Sequence, residues 1–429
     1  MSKRFINLAL STTALILFLL PAIAAEDRVF KDGDLKKFGQ SLGKYFQAIS
    51  DAEDIEKAQA SLHDAIAKLE KKAKGRSLLT TPADIGRGFW LSRNLSKAKV
   101  KKGKVTKAVR KAGSAAKGEV QYAYRLPKTY NAAKSTYPLI LTIPDEGVEP
   151  ENHIKEQWLL NDIHDNAIIL CVSMPGNRDK WTELMLDGEF GGLGNLMTCF
   201  GAAQELFSID FDRVFVVGRG AGVPAAIAIG NYFPYRFAGI IGRKGDTENI
   251  GPENFSNLPC YFAGAGKNAT AFKDAAEAAG HKNVTIAPSA KETDIWDWMK
   301  ENPRTTYPTK VALTPGNVEG VPFPTRAYWL GVSPSEGSAS LTGRIDRAKN
   351  TVYIDGEGVP KVTLYLNDQL VDLESPVKVI CNGVENEAVL QRRLSVTLEF
   401  LKKGTSDSNC IYVSTQTFAL PAKASADSE

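Results

Sequence analysis

Residues 214–226, Val-Phe-Val-Val-Gly-Arg-Gly-Ala-Gly-Val-Pro-Ala-Ala, decide how this chain folds. The apolar run from Val214 to Val217 suits a buried strand, and the small residues from Pro224 to Gly230 suit a closely packed helix. Gly218, Gly220 and Gly222 stand between them at alternate positions. Small residues on either side of an apex let a strand reverse into a helix without collision, while the apex itself takes up unusual φ/ψ. Such a turn belongs to a sheet wound with helices on both faces. The apex residue, Gly220, brings no side chain to it.

The chain has 429 residues, 43% of them hydrophobic, enough to bury more than one core, so two or three domains are expected. Residues 1–24 carry Lys3 and Arg4, an apolar run from Leu15 to Leu20, Pro21 and the small-residue site Ala22-Ile23-Ala24. That pattern predicts a cleavable signal peptide, with cleavage after Ala24 and a secreted or periplasmic product. No later stretch reaches about 18 uninterrupted apolar residues, so a transmembrane helix is not expected. Of the five cysteines, Cys171, Cys199 and Cys260 lie in apolar runs and read as core, while Cys381 and Cys410 are candidates for one disulfide. There is no C-x-x-C pair and the four histidines are scattered, so neither a metal nor another cofactor is expected. The net charge is +4, yet residues 93–117 hold ten basic residues and no acidic one. A solvated basic linker before an edge strand accounts for them, with contact to an anionic polymer or membrane surface as the alternative. Aromatic residues are not interleaved there, so nucleic acid is not an expected partner.

Residues 25–75 read as a helical segment. Phe38, Leu42, Tyr45 or Phe46 and Ile49 recur at helical spacing, as do Ile55, Ala58, Leu62, Ile66 and Leu69, with Asp51 as an N-cap between them and Gly75 as a stop. The apolar stripe is expected to pack on itself or on the next domain, or else to bind a partner. Residues 76–104 read as the basic linker. From residue 105 to 303 strand-like segments at 105–109, 119–126, 137–144, 167–172, 213–217, 237–242, 260–263 and 284–287 alternate, in the later part, with helix-like ones at 152–160, 193–207, 223–231, 270–279 and 293–301. Antiparallel strands followed by repeated β-α units predict an open, mostly parallel, doubly wound sheet, the α/β arrangement. Residues 304–420 switch to short strands, among them 328–332, 351–354, 361–366, 377–381, 394–400 and 411–418, with Asn382-Gly383 as a hairpin turn. They predict a small antiparallel, sandwich-like β-domain suited to protein or surface contacts, followed by a polar tail at 421–429.

The phrases Glu119-Val120-Gln121-Tyr122, Arg125-Leu126-Pro127-Lys128-Thr129-Tyr130, Tyr137-Pro138-Leu139-Ile140-Leu141 and Ile209-Asp210-Phe211-Asp212-Arg213-Val214-Phe215-Val216-Val217-Gly218 together resemble the secreted esterases of the polyhydroxyalkanoate depolymerase and feruloyl esterase type. The resemblance covers about residues 105–303. It implies an α/β-hydrolase fold with the strand-to-helix turn of residues 218–222 as its nucleophile elbow, where G-x-S-x-G holds a serine. Gly220 takes the serine's place.

Ester cleavage on this fold needs a nucleophile, a histidine base and a carboxylate to hold it. The acid's expected loop, Gly264 to Asn268, has no Asp or Glu, and the histidine's expected loop, Pro288 to Glu292, has no histidine. His281 sits in a turn ahead of the last strand and reads as a surface residue. The oxyanion hole needs the N–H of Ala221 and one from the loop Pro144-Asp145-Glu146-Gly147, where proline has none and two carboxylates oppose an anion unless Arg219 pairs with them. The expectation is a non-catalytic binding pseudoenzyme whose cleft, lined by Asp145, Glu146, Arg219, Gly220, Ala221 and Trp181, holds a small molecule or polymer. Two readings stand beside it. One is a serine ester hydrolase with a displaced nucleophile, Ser173 or Ser289, served by His153 or His164 near the cleft mouth. The other is a structural partner of envelope proteins acting through the helical stripe.

Overall fold

Every residue from Leu139 to Leu141 and from Val214 to Val217 is at most 1% exposed, the mark of strands covered on both faces. Each such apolar side chain contributes about 1.5–3 kcal/mol on burial before the entropy of ordering it is set against the gain. The computed structural model describes residues 28–93, 95, 98–111, 118–264, 266–289, 291–318, 321–333, 338–401 and 407–423. The signal peptide read at 1–24 lies outside the described residues.

The central sheet contains β1 (Thr106–Lys111), β2 (Glu119–Arg125), β3 (Tyr137–Ile143), β4 (Ile168–Val172), β5 (Ile209–Arg219), β6 (Gly239–Arg243), β7 (Cys260–Ala263) and β8 (Val284–Ala287). Its spatial order is β1-β2-β4-β3-β5-β6-β7-β8. The pairs β1–β2 and β2–β4 are antiparallel and the rest parallel. This is a doubly wound, mostly parallel α/β sheet. Alternation sends Leu139, Leu141, Val214 and Val216 to one face, into the core shared with α6 (Gly192–Leu206), α7 (Val223–Tyr232) and α8 (Asn268–Ala278). Ile140, Phe215, Val217 and Ile241 face the other way, under α4 (Pro150–Gln157), α5 (Asn161–Asn166) and α9 (Glu292–Glu301).

Helices α1 (Asp32–Asp51) and α2 (Ile55–Lys72) form the helical segment, with Leu35, Phe38, Leu42, Leu62 and Leu69 buried. Asp51 ends α1 instead of capping α2: the chain reverses at Ala52 (φ 57°) and Asp54 (φ 51°), and Gln47 Nε2 donates to the Asp51 carboxylate. The stretch read as a linker contains a third helix, α3 (Pro82–Ser92). Its two glycines weaken the helical signal because packing demands them. A side chain on Gly88 would strike the Phe38 ring, and one on Gly86 the carbonyl of Ser408. The basic run is also partly paired: Arg110 forks onto Glu205 at 2.6 and 2.7 Å, and Lys107 lies 2.8 Å from Glu151.

The C-terminal region carries a five-stranded sheet, with Lys310–Leu313, Ser340–Asp346, Thr351–Glu357, Val377–Cys381 and Val384–Ala388 in that order. A four-stranded sheet of Arg326–Ala327, Leu330–Val332, Lys361–Leu366 and Ser414–Ala419 shares its hydrophobic core, as do the buried faces of α1 and α2. The turn at Asn382 (φ 45°) and Gly383 (φ 83°) joins two strands as expected from its sequence. Four readings change. The domain is not purely antiparallel: Thr351–Glu357 pairs with Val377–Cys381 in parallel, because the chain between them crosses to the other sheet through Lys361–Leu366. Leu394–Phe400 is a helix, α10: its apolar residues at alternate positions also satisfy i, i+4 spacing, and Thr397 Oγ1 donates to the Tyr412 carbonyl at 2.9 Å. Residues 328–332 are broken by a turn at Tyr328 (φ 51°), whose hydroxyl donates to the Pro234 carbonyl. Cys381 and Cys410 are free buried thiols, like the other three cysteines.

One residue of the family-like phrase, Asp212, ties these parts together. Its Oδ1 accepts from Arg304 Nη2 at 2.8 Å and from Thr306 Oγ1 at 2.8 Å, and its Oδ2 from Asn409 Nδ2 at 2.6 Å. The Arg304 side chain, 1% exposed, also reaches Asp407 at 2.6 Å and the Tyr235 carbonyl at 2.9 Å.

Candidate functional site

The strand β5 ends at Arg219, a single tight turn spans Gly220–Gly222, and α7 starts at Val223 with Pro224 in its first turn. Gly220 has φ +52°, a left-handed conformation that glycine adopts without strain and other residues rarely do. Gly218 is required because a Cβ there would collide with the Gly222 carbonyl. A Cβ on Gly222 would sit 2.7 Å from the Pro144 carbonyl oxygen, so the loop after β3 closes directly over the turn.

That loop fills the elbow. Asp145 Oδ1 accepts from the N–H of Ala221 at 2.9 Å and from the N–H of Glu146 at 2.9 Å. These donors are the residue after the nucleophile position and the loop after β3, the pair that builds an oxyanion hole. A Cβ on Gly220 would fall on the same carboxylate. One side chain therefore both accepts the two backbone N–H groups and covers the apex of the turn. The sequence placed Asp145 beside these donors as an opposing charge, and the structure turns its oxygen onto them.

The other expected residues divide. Glu146 is exposed and Arg219 half-buried beside Gly220. Among the described residues neither carboxylate forms an ion pair with Arg219, and Asp145 Oδ1 accepts backbone N–H groups instead. Trp181 does not line the elbow. It is 5% exposed, packs in the core and donates Nε1 to the Pro175 carbonyl at 2.7 Å.

Sequence reading passed over Asp246, on the loop after β6. A Cβ on the neighbouring Gly245 would strike the Gly220 carbonyl, which places this loop against the elbow. Asp246 accepts from the Thr247 N–H at 2.7 Å and from Asn268 Nδ2 at 3.3 Å, and holds no histidine. The signal was its position just beyond the strand that follows the elbow unit. His153, on α4, is 1% exposed with Nε2 2.8 Å from Thr142 Oγ1. Burial first, then the charges of Arg243 and Arg219, push its imidazole down to about 3, so it is neutral near pH 7. His164 lies on the separate helix α5, its Nε2 2.7 Å from the Trp158 carbonyl, and burial lowers it too. Ser173 follows β4, its backbone N–H donating to the Gln121 carbonyl, and Ser289 precedes α9. Both histidines thus have partners other than the candidate serines. Among the described residues no group of three or more His, Cys, Asp or Glu side chains is placed to hold a metal ion. No described helix is long and apolar enough to cross a membrane.

No known family's sequence pattern matches this chain. No curated protein matches it either. Solved structures similar to it include a thermostable esterase at 16% identity and TM-score 0.36, covering 47% of this chain and 63% of that one. A ferulic acid esterase is similar at 12% identity and TM-score 0.37 over 47% of this chain and 95% of its own. An S-formylglutathione hydrolase from Agrobacterium tumefaciens is similar at 11% identity and TM-score 0.37 over 48% of this chain and 98% of its own.

Proposed function

We propose that this chain is an exported, non-catalytic binding protein built on an esterase-like α/β-hydrolase fold. One observation carries the reading: the Asp145 carboxylate accepts both oxyanion-hole N–H groups and covers the apex where a nucleophile would stand. A substrate carbonyl polarised by these donors would have to displace a charged acceptor that the protein supplies itself. Gly220 supplies no nucleophile, and the neutral, buried His153 is bonded to Thr142 and not to a serine. The charged segment and small-residue site of residues 1–24 support export.

The reading as a structural partner of envelope proteins through the helical stripe has less support, because Phe38, Leu42, Leu62 and Leu69 of that stripe are covered by the chain's own core and Ile55 is left exposed. Hydrolysis of short-chain p-nitrophenyl esters by the purified mature chain tests the proposal. The expected result is no turnover above buffer. Turnover that survives in the Ser173→Ala and Ser289→Ala variants, or that either variant abolishes, would overturn it.

A further inference from the structure

Side chains alternate across a strand, so Arg219 shares a face of β5 with Val217, and Arg243 shares the same face of β6 with Ile241. Arg219 and Arg243 are direct partners in the parallel ladder. Neighbouring strands lie about 4.8 Å apart, so two guanidinium-bearing residues leave the C-terminal edge of the sheet side by side. Their face is the one beneath α4 and α9.

Arg243 is nearly enclosed, with 6% of its side chain exposed. Its guanidinium lies 4.8 Å from the Trp158 ring centre and donates Nη1 to the Gln157 carbonyl at 2.9 Å. Its Nε is buried without a hydrogen-bond partner. The Glu292 carboxylate approaches only to 4.0 Å, and its other oxygen accepts the N–H groups of Leu159 and Leu160. Among the described residues Arg219 makes no hydrogen bond and no ion pair. Asp145, close by, has Oδ1 committed to the two backbone donors. His153 completes the cluster, with Nδ1 buried and unpartnered. Burial and the two arginines hold it neutral, so it adds a dipole and no countercharge.

Glu292 offsets the enclosed charge of Arg243 from 4.0 Å, but Arg219 beside it has no ion-pair partner among the described residues, and adjacent like charges are costly unless a counter-charge joins them. We propose that Arg219 and Arg243 form a binding site for the oxyanion of a small ligand, a carboxylate or phosphate group. The planar donor fork of a guanidinium matches such a group, and the C-terminal edge of parallel strands is where this class of fold receives ligands. Arg219, half-exposed and uncommitted, meets the anion, while Arg243, fixed on Trp158 and Gln157, supplies field from behind it. The site gives a ligand class to the binding role proposed above and rests on that role.

Isothermal titration of the purified mature chain with inorganic phosphate and, separately, with acetate, in a chloride-free buffer of low ionic strength, tests the site. One equivalent of at least one anion is expected to bind, and the arm that binds tells phosphate from carboxylate recognition. Losing one charged hydrogen-bond donor corresponds to about tenfold weaker binding or more, which is the expectation for Arg219→Gln. Arg219→Lys should retain part of the affinity. Among the described residues Arg219 makes no hydrogen bond or ion pair, and a urea unfolding curve for each variant separates lost binding from lost stability. No binding of either anion, or binding to Arg219→Gln at native strength, would overturn the proposal. Ester turnover is measured separately: its appearance would overturn the non-catalytic role without altering the titration, and failed titration without turnover would sink the anion site alone.

Discussion

Replacing Gly220 with serine restores the sequence pattern of an elbow and, on this structure, damages the protein. The residue sits at φ +52°, where a non-glycine side chain costs about 1–2 kcal/mol. Its Cβ would also fall on the Asp145 carboxylate, forcing that group off the N–H groups of Ala221 and Glu146. At partly exposed positions each of these bonds is worth about 1 kcal/mol. Gly220→Ser should therefore cost about 3–4 kcal/mol in urea unfolding. In an Asp145→Ala background the bonds are already gone and the space is open, so the same substitution should cost only the backbone strain, about 1–2 kcal/mol. The double-mutant cycle is expected to show a coupling of about 2 kcal/mol. Additive effects, or a single-variant cost below about 0.5 kcal/mol, would refute the placement of Asp145 in the hole.

The same logic extends to three other sites. Arg304→Ala strands Asp212 and Asp407 at the junction between the central and C-terminal regions, and should lose about 3–5 kcal/mol by urea unfolding. His153 is held near 3 in the fold against about 6.5 when unfolded, so the unfolded chain binds the proton first as pH falls. Stability should therefore drop between about pH 6.5 and 3 with a slope approaching 1.4 kcal/mol per unit, on the order set by one proton. His153→Gln should flatten this slope in urea titrations at several pH values without abolishing it, since burial also lowers His164 and His281. Titration with a thiol reagent should find the five cysteines slow to react in the native protein and all five reactive in denaturant without prior reduction, against a Cys381–Cys410 bridge.

The central sheet was legible because its strands are apolar runs punctuated by glycine and its helices carry a helical period. The elbow at residues 218–222 and the hairpin at Asn382-Gly383 were legible because glycine and asparagine tolerate positive φ. What escaped depends on contacts between distant segments. Helix α3 keeps Gly86 and Gly88 for close packing against the Ser408 carbonyl and Phe38, so its local pattern reads as linker. In Leu394–Phe400 both periodicities fit seven residues, and packing of Phe400 against Tyr365 and Tyr412, with ring centres 4.8 and 5.1 Å apart, accompanies the helix. Within the site, sequence picked out Asp145, Arg219, Gly220 and Ala221 through their places relative to the motif. It could not show that a loop carboxylate turns inward onto Ala221, nor that register sets Arg243 beside Arg219. Asp212 was noticed as part of a phrase, and its role is to hold Arg304, Thr306 and Asn409.

An activated serine is the property whose absence the account asserts, and a fluorophosphonate probe reads it without regard to substrate preference. Incubation of the purified mature chain with the probe, followed by mass spectrometry of the intact protein and its peptides, is predicted to leave the chain unlabelled. Stoichiometric labelling of any serine, Ser173 and Ser289 included, would contradict it.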